Sequence, residues 1–107
     1  MAEAAEPGLM SSFRTFWDAR IEWPPDMPDD MLESAINCAK EAMKKHDIEK
    51  EGQDIAKAIK AEFDDKWTPY WHVIIGKNFG TQCTHETRRY VHFYLGKWAF
   101  LIYKMGF

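Results

Sequence analysis

The sequence predicts an α+β fold in which two helices precede a four-stranded antiparallel meander, and three features point to it. Residues 71–103 carry four short segments with the period-two alternation of strands. Residues 26–67 carry apolar side chains at spacings of three and four, interrupted by proline and glycine. The last two strand segments are apolar on both faces, whereas a half-solvated antiparallel sheet needs only one such face. Helices can cover one of those faces, and something else must cover the other.

The elements follow in order. Residues 1–12 are small, acidic and polar around Pro7-Gly8, and are expected to be disordered. Phe13, Phe16, Trp17 and Ile21 recur at helical spacing, yet Ile21 and Trp23 equally fit one side of a short strand, so both readings stay open. Trp23-Pro24-Pro25 ends that segment. A helix is expected next, capped by Asp26, with Pro28, Asp29 and Asp30 in its first turn. Met31, Ala35, Cys38, Ala39, Ala42 and His46 form its inward stripe, and Lys44 and Lys45 suit its last turn. After a break around Glu49-Lys50-Glu51-Gly52, a second helix carries Ile55, Ile59, Phe63 and Trp67 and stops at Thr68-Pro69. Strands are then expected at 71–75, 79–84, 90–95 and 98–103, with Gly76-Lys77-Asn78 and Gly96-Lys97 as turns.

At 107 residues the chain is expected to form one domain that buries roughly two-thirds of its unfolded surface. A net charge of -3, with Lys and Arg spread among Asp and Glu, argues against nucleic acid as a partner. No apolar run is long enough to span a membrane, and the opening residues lack the pattern of a secretory signal, so a cytosolic protein is expected. Two cysteines are too few for a disulfide framework, and Cys38 reads as a packed thiol.

Catalysis and metal binding find little support. Cys83, His85 and Glu86 lie close together, but proximity in sequence establishes neither a base within reach nor an oxyanion hole. Cys83, His85 and His92 match no standard zinc-ligand spacing. No Gly-rich phosphate loop is present, and no cofactor is expected. His72 alternates out of phase with Trp71, Val73 and Ile75; it is either an ordinary exposed side chain or a titratable group under another subunit.

The run WHVIIGKNFGTQCTHETRRYVHFYLGKWAFLIYKMG strongly resembles the dynein light chains of the smallest, hub type. The likeness extends back through DMPDDMLESAINCAKEAMKKHDIEK and KAEFDDKW, covering about residues 26–106. It implies a non-catalytic homodimer in which one strand crosses to the partner's sheet, making a sandwich with two grooves. Each groove takes a short disordered segment, of dynein intermediate chain or another protein, with a Thr-Gln-Thr-like motif, as an added strand. The peptide-pairing edge would be Asn78, Phe79, Gly80, Thr81, Gln82, Cys83, Thr84 and His85, and the groove floor Tyr90, His92, Tyr94, Ala99 and Leu101. Glu49 and Lys50 would receive the peptide's glutamine. His72, Thr81, Gln82 and Cys83 would lie at the dimer interface, His72 as a histidine whose protonation loosens it.

The likeness also implies a cytoplasmic, cytoskeletal protein, with a light-chain domain over 20–107 and a flexible extension over 1–19 that fits an axonemal or lineage-specific form. A dynein-independent adaptor or enzyme inhibitor is the alternative. Gln82 and His92 depart from aromatics, Cys83 from an aliphatic residue, and Glu51-Gly52-Gln53 reads as an insertion. Met105 replaces a serine that serves as a phosphorylation switch in some members.

Overall fold

Proline and charge place the helices close to where the sequence predicts them. In the computed structural model, which describes residues 12–77 and 86–106, α1 spans Asp29–Lys45 and α2 spans Ile48–Trp67. Asp29 and Asp30 lie in the first turn of α1, and Lys44 and Lys45 in its last, each complementing the helix dipole. Asp26 does not cap it. Pro28, held extended at φ -61°, takes the N-cap position, and Asp26 is drawn to the sheet instead. Its backbone exchanges hydrogen bonds with Tyr90 at 3.0 and 2.8 Å, and its carboxylate accepts the Arg88 N–H at 3.0 Å.

The break expected at residues 49–52 falls at Glu51, whose non-helical backbone (φ -121°, ψ 31°) kinks α2, and a turn of helix precedes it. A reciprocal cap explains why the chain is already helical there: the Asp47 side chain accepts the Glu49 N–H at 3.0 Å, and Glu51 Oε1 accepts the Asp47 N–H at 2.8 Å. Both bonds satisfy N–H groups that the start of a helix otherwise leaves open. At the other end Thr68 turns to φ +64° before Pro69, which ends α2 at Trp67 as expected.

Residues 13–23, left open by their pattern, form a β-hairpin. β1 (Ser12–Phe16) and β2 (Ala19–Trp23) pair along their full length around Trp17 and Asp18, at φ +54° and +68°. Positive φ at both central residues matches the twist of the flanking strands. The hairpin puts Phe13 on one face and Phe16, Ile21 and Trp23 on the other, so both faces gain aromatic contacts. The boundary drawn before Arg20 therefore falls within paired sheet.

The sheet is completed by β3 (Trp71–Gly76), β4 (Tyr90–Leu95) and β5 (Trp98–Lys104), in the antiparallel order β1-β2-β4-β5-β3. This is not a simple meander, because β3 pairs with β5 rather than with β4. The tight Gly96-Lys97 turn, with Gly96 at φ +61°, closes β4 onto β5, and the strands apolar on both faces become the sheet's centre. The strand expected at 79–84 lies outside the described residues.

The helices cover one face of the sheet. Leu32, Ala35, Ile36 and Ala39 of α1 and Ile55, Ile59 and Phe63 of α2 pack with Ile21, Val91, Phe93, Phe100 and Ile102. Phe93 stacks on Phe100 at 5.3 Å, and Phe63 meets Trp71 edge to face at 4.9 Å. A polar clamp beside that contact ties α2 to β3. Asp64 accepts the Trp71 N–H at 2.9 Å, while Lys60 Nζ donates to Asp64 at 2.6 Å and to the Trp71 carbonyl at 3.0 Å. Cys38 is buried as expected; burial first, and then Glu62, push its thiol up to about 12.

Candidate functional site

The sheet face turned away from the helices collects every predicted groove-floor residue. Alternation along β4 sends Val91, Phe93 and Leu95 into the core and leaves Tyr90, His92 and Tyr94 on the opposite side. In register, His92 lies opposite Leu101, Tyr94 opposite Ala99 and Tyr90 opposite Tyr103. The row continues through Ile74, which pairs with Leu101, and His72, which pairs with Tyr103. His92, Ala99 and Leu101 are buried, Tyr90 and Tyr94 half-buried, and Ile74 remains 45% exposed.

The N-terminal hairpin adds residues to this face that sequence reasoning did not assign to it. Phe13 of β1 stands edge-on to His92 at 6.3 Å and to Tyr94 at 6.0 Å. The Arg20 guanidinium lies 5.2 Å from the Phe13 ring centroid and 4.7 Å from that of Tyr94. Glu22 Oε1 sits 3.2 Å from His92 Nδ1. The available signal was the alternation of Phe13 with Arg14 and of Arg20 with Ile21 on either side of Trp17-Asp18. Helical spacing of the same aromatics obscured it.

Glu49 and Lys50 are set apart from this floor. They line a cleft of about 660 Å3 between the start of α2 and the β3–β5 edge, together with Val73, Ile75 and Trp98. Lys97 spans its mouth, with Nζ 3.8 Å from Glu49 and 6.0 Å from the Trp98 ring centroid. β3 ends the sheet, with β5 as its one paired neighbour among the described residues. Its outer edge therefore holds backbone groups to which a further strand can pair.

His72 is exposed on β3, its ring stacked on Tyr103 at 5.2 Å and its Nε2 2.9 Å from the Met105 carbonyl. Asn78, Phe79, Gly80, Thr81, Gln82, Cys83, Thr84 and His85 lie outside the described residues. Cys83 and His85 of the weak catalytic and zinc readings are among them, while His92, the third zinc candidate, is buried on β4. Glu86 is described, and its N–H donates to the Lys104 carbonyl at 2.9 Å. Among the described residues one trio has ligand atoms close enough for a cation: His46, Glu51 and Asp54, all within 4.8 Å of one another. Glu51 is already engaged there in the α2 cap, and no fourth group joins them.

A family model described as dynein light chain type 1 matches residues 21–105. The chain belongs to that family. Among solved structures, this light chain is similar to the dynein light chain-like domain of the Fasciola hepatica calcium binding protein FhCaBP2. A mercury derivative of that domain superposes with a TM-score of 0.73 at 18% identity, over 87% of this chain and 97% of that one. A native form gives 0.70 at 18% identity, over 87% and 100%. At that identity the likeness shows the fold, two helices on one face of an antiparallel sheet. In this light chain no described helix is long and apolar enough to cross a membrane.

Proposed function

We propose that this light chain is a non-catalytic homodimer that captures extended segments of partner polypeptides, dynein intermediate chain among them, and holds two copies side by side. The observation that carries the reading is the sheet face turned away from the two helices, where Ile74 and His72 stand exposed beside Leu101 and Tyr103, next to the outer edge of β3, whose one paired neighbour among the described residues is β5. An apolar Ile74 left 45% exposed at a strand edge suits a second chain better than water. The cleft between α2 and β3 then supplies Glu49 and Lys50 to polar side chains of an added strand. Two grooves on one dimer raise the effective concentration of the second captured segment once the first is bound.

The test is calorimetric titration of a Thr-Gln-Thr peptide at neutral pH, with sedimentation on the same sample. One peptide per chain on a dimer is the expected result. A monomer at tens of micromolar that ignores the peptide overturns the reading.

A further inference from the structure

The N-terminal hairpin builds a second cavity on the opposite side of the molecule's edge, against the start of α1. It measures about 500 Å3 and is walled by the rings of Phe16, Trp17 and Trp23. Phe16 lies 5.8 Å from Trp17 and 5.4 Å from Trp23, centroid to centroid. Around these rings stand the carboxylates of Asp29, Asp30 and Glu33, all exposed. None of the three forms an ion pair among the described residues. Phe16 and Trp17 remain 42% and 39% exposed, so the aromatic wall is open to solvent.

Two details point to what this cavity receives. The Arg14 guanidinium, which is not part of the cavity lining, lies over the Trp23 ring at 4.8 Å, so the ring of one wall already pairs with a cation. Trp17 occupies a turn position at φ +54°, where asparagine or glycine would cost less, and a large ring kept there argues for a use of the ring. Lys40 holds that turn against α1, donating to the Trp17 carbonyl at 2.9 Å and to Asp18 at 3.2 Å. The wall is thus braced on a helix.

We propose that this cavity docks a lysine or arginine side chain from a basic segment of a partner polypeptide. The ring faces attract the cation through their quadrupoles, and the three carboxylates compensate its charge. Phe16 and Trp23 lie on the hairpin face opposite Phe13, so this cavity is on the other side of the sheet from the proposed peptide-capturing face. Residues 1–11 contain no lysine or arginine to fill the cavity.

The probes are a short alternating Gly-Lys peptide, the same peptide trimethylated on its lysines, and an alternating Gly-Glu peptide. They are titrated into the full chain by calorimetry at low and physiological salt, with indole N–H shifts read by NMR. Both cationic peptides are expected to bind saturably and shift the Trp17 and Trp23 indoles, and the Gly-Glu peptide to do neither. Trp17→Asn removes the ring while suiting the left-handed turn, and is expected to weaken binding about three- to tenfold. The triple variant Asp29→Asn, Asp30→Asn, Glu33→Gln is expected to weaken the unmethylated peptide at least as much. Circular dichroism and β1–β2 amide shifts check that both variants keep the hairpin. Absence of binding, binding unchanged in Trp17→Asn, or equal binding of the Gly-Glu peptide overturns the proposal. Dissociation of a dimer by Trp17→Asn also overturns it, by assigning the cavity to a second copy of the chain.

Discussion

Replacing Asp64 by asparagine tests the clamp that fixes β3, and with it the strand edge and the cleft, against α2. The structure separates two contributions. The charge of Asp64 pairs with Lys60 at 2.6 Å, with the two side chains 26% and 46% exposed. Solvent screening at that exposure reduces this i,i+4 pair to about 0.3–0.5 kcal/mol. The second contribution is the Trp71 N–H, which an asparagine oxygen still accepts but an alanine leaves open, adding about 1–3 kcal/mol for Asp64→Ala.

Charge and hydrogen bond also separate by pH. Partial burial pushes the Asp64 carboxyl up, but Lys60, the Trp71 N–H and the charge on His72 together outweigh it and hold the group below the ordinary carboxylate range. A folded value below the unfolded one, about 3.9, means that this stability is complete above the unfolded value and is lost as pH falls through the folded one. Urea unfolding of the parent and Asp64→Asn, at one fixed protein concentration, is therefore expected to show a gap at about pH 6 that narrows and closes as pH falls through the folded value. A gap that persists in acid would mean that the clamp works through shape or the neutral hydrogen bond, and would refute the electrostatic account.

Three further outcomes are expected. Cys38, with its thiol pushed up to about 12 by burial and Glu62, should resist alkylation at mildly alkaline pH until the protein unfolds, as read by peptide mapping. Gly96→Ala should cost about 1 kcal/mol in thermal or urea unfolding. Nothing lies within 4 Å of the added methyl, so that cost is the left-handed backbone alone, and a much larger loss would mean a steric clash. Lys40→Gln should leave global stability within about 0.5 kcal/mol yet speed amide exchange in β1 and β2, because the lost contacts are at an exposed turn.

Much of the architecture is carried by local chemistry. Proline at positions 28 and 69, the acidic and basic helix ends, and the three-and-four spacing of Ile55, Ile59 and Phe63 place both helices before any contact is known. Gly96-Lys97 between two alternating runs establishes the β4–β5 hairpin, and the alternation itself places Tyr90, His92 and Tyr94 on one face. The family likewise rests on contiguous motifs, which need no fold to be read. That these side chains share a face was legible because period two within a strand is a property of the chain; their role as a groove floor came from the family resemblance.

What the sequence could not determine is which distant segments meet. The pairing of β3 with β5 rather than β4 depends on which strands are apolar on both faces and so belong at the centre. Asp26 reads as a cap until the sheet engages it, and the helical turn before the kink at Glu51 emerges only when Asp47 and Glu51 close a reciprocal cap. Phe13, Phe16 and Trp17 have the spacing of a helix, and only the partner strand β2 makes them a hairpin. From that one tertiary choice come both the Phe13 and Arg20 contacts with Tyr94 and the aromatic cavity beside α1. Local pattern specified the elements, because helix and strand periods are short-range. Tertiary packing decided the neighbours, because burial of a shared apolar surface and satisfaction of backbone hydrogen bonds are settled only when separate elements are brought together.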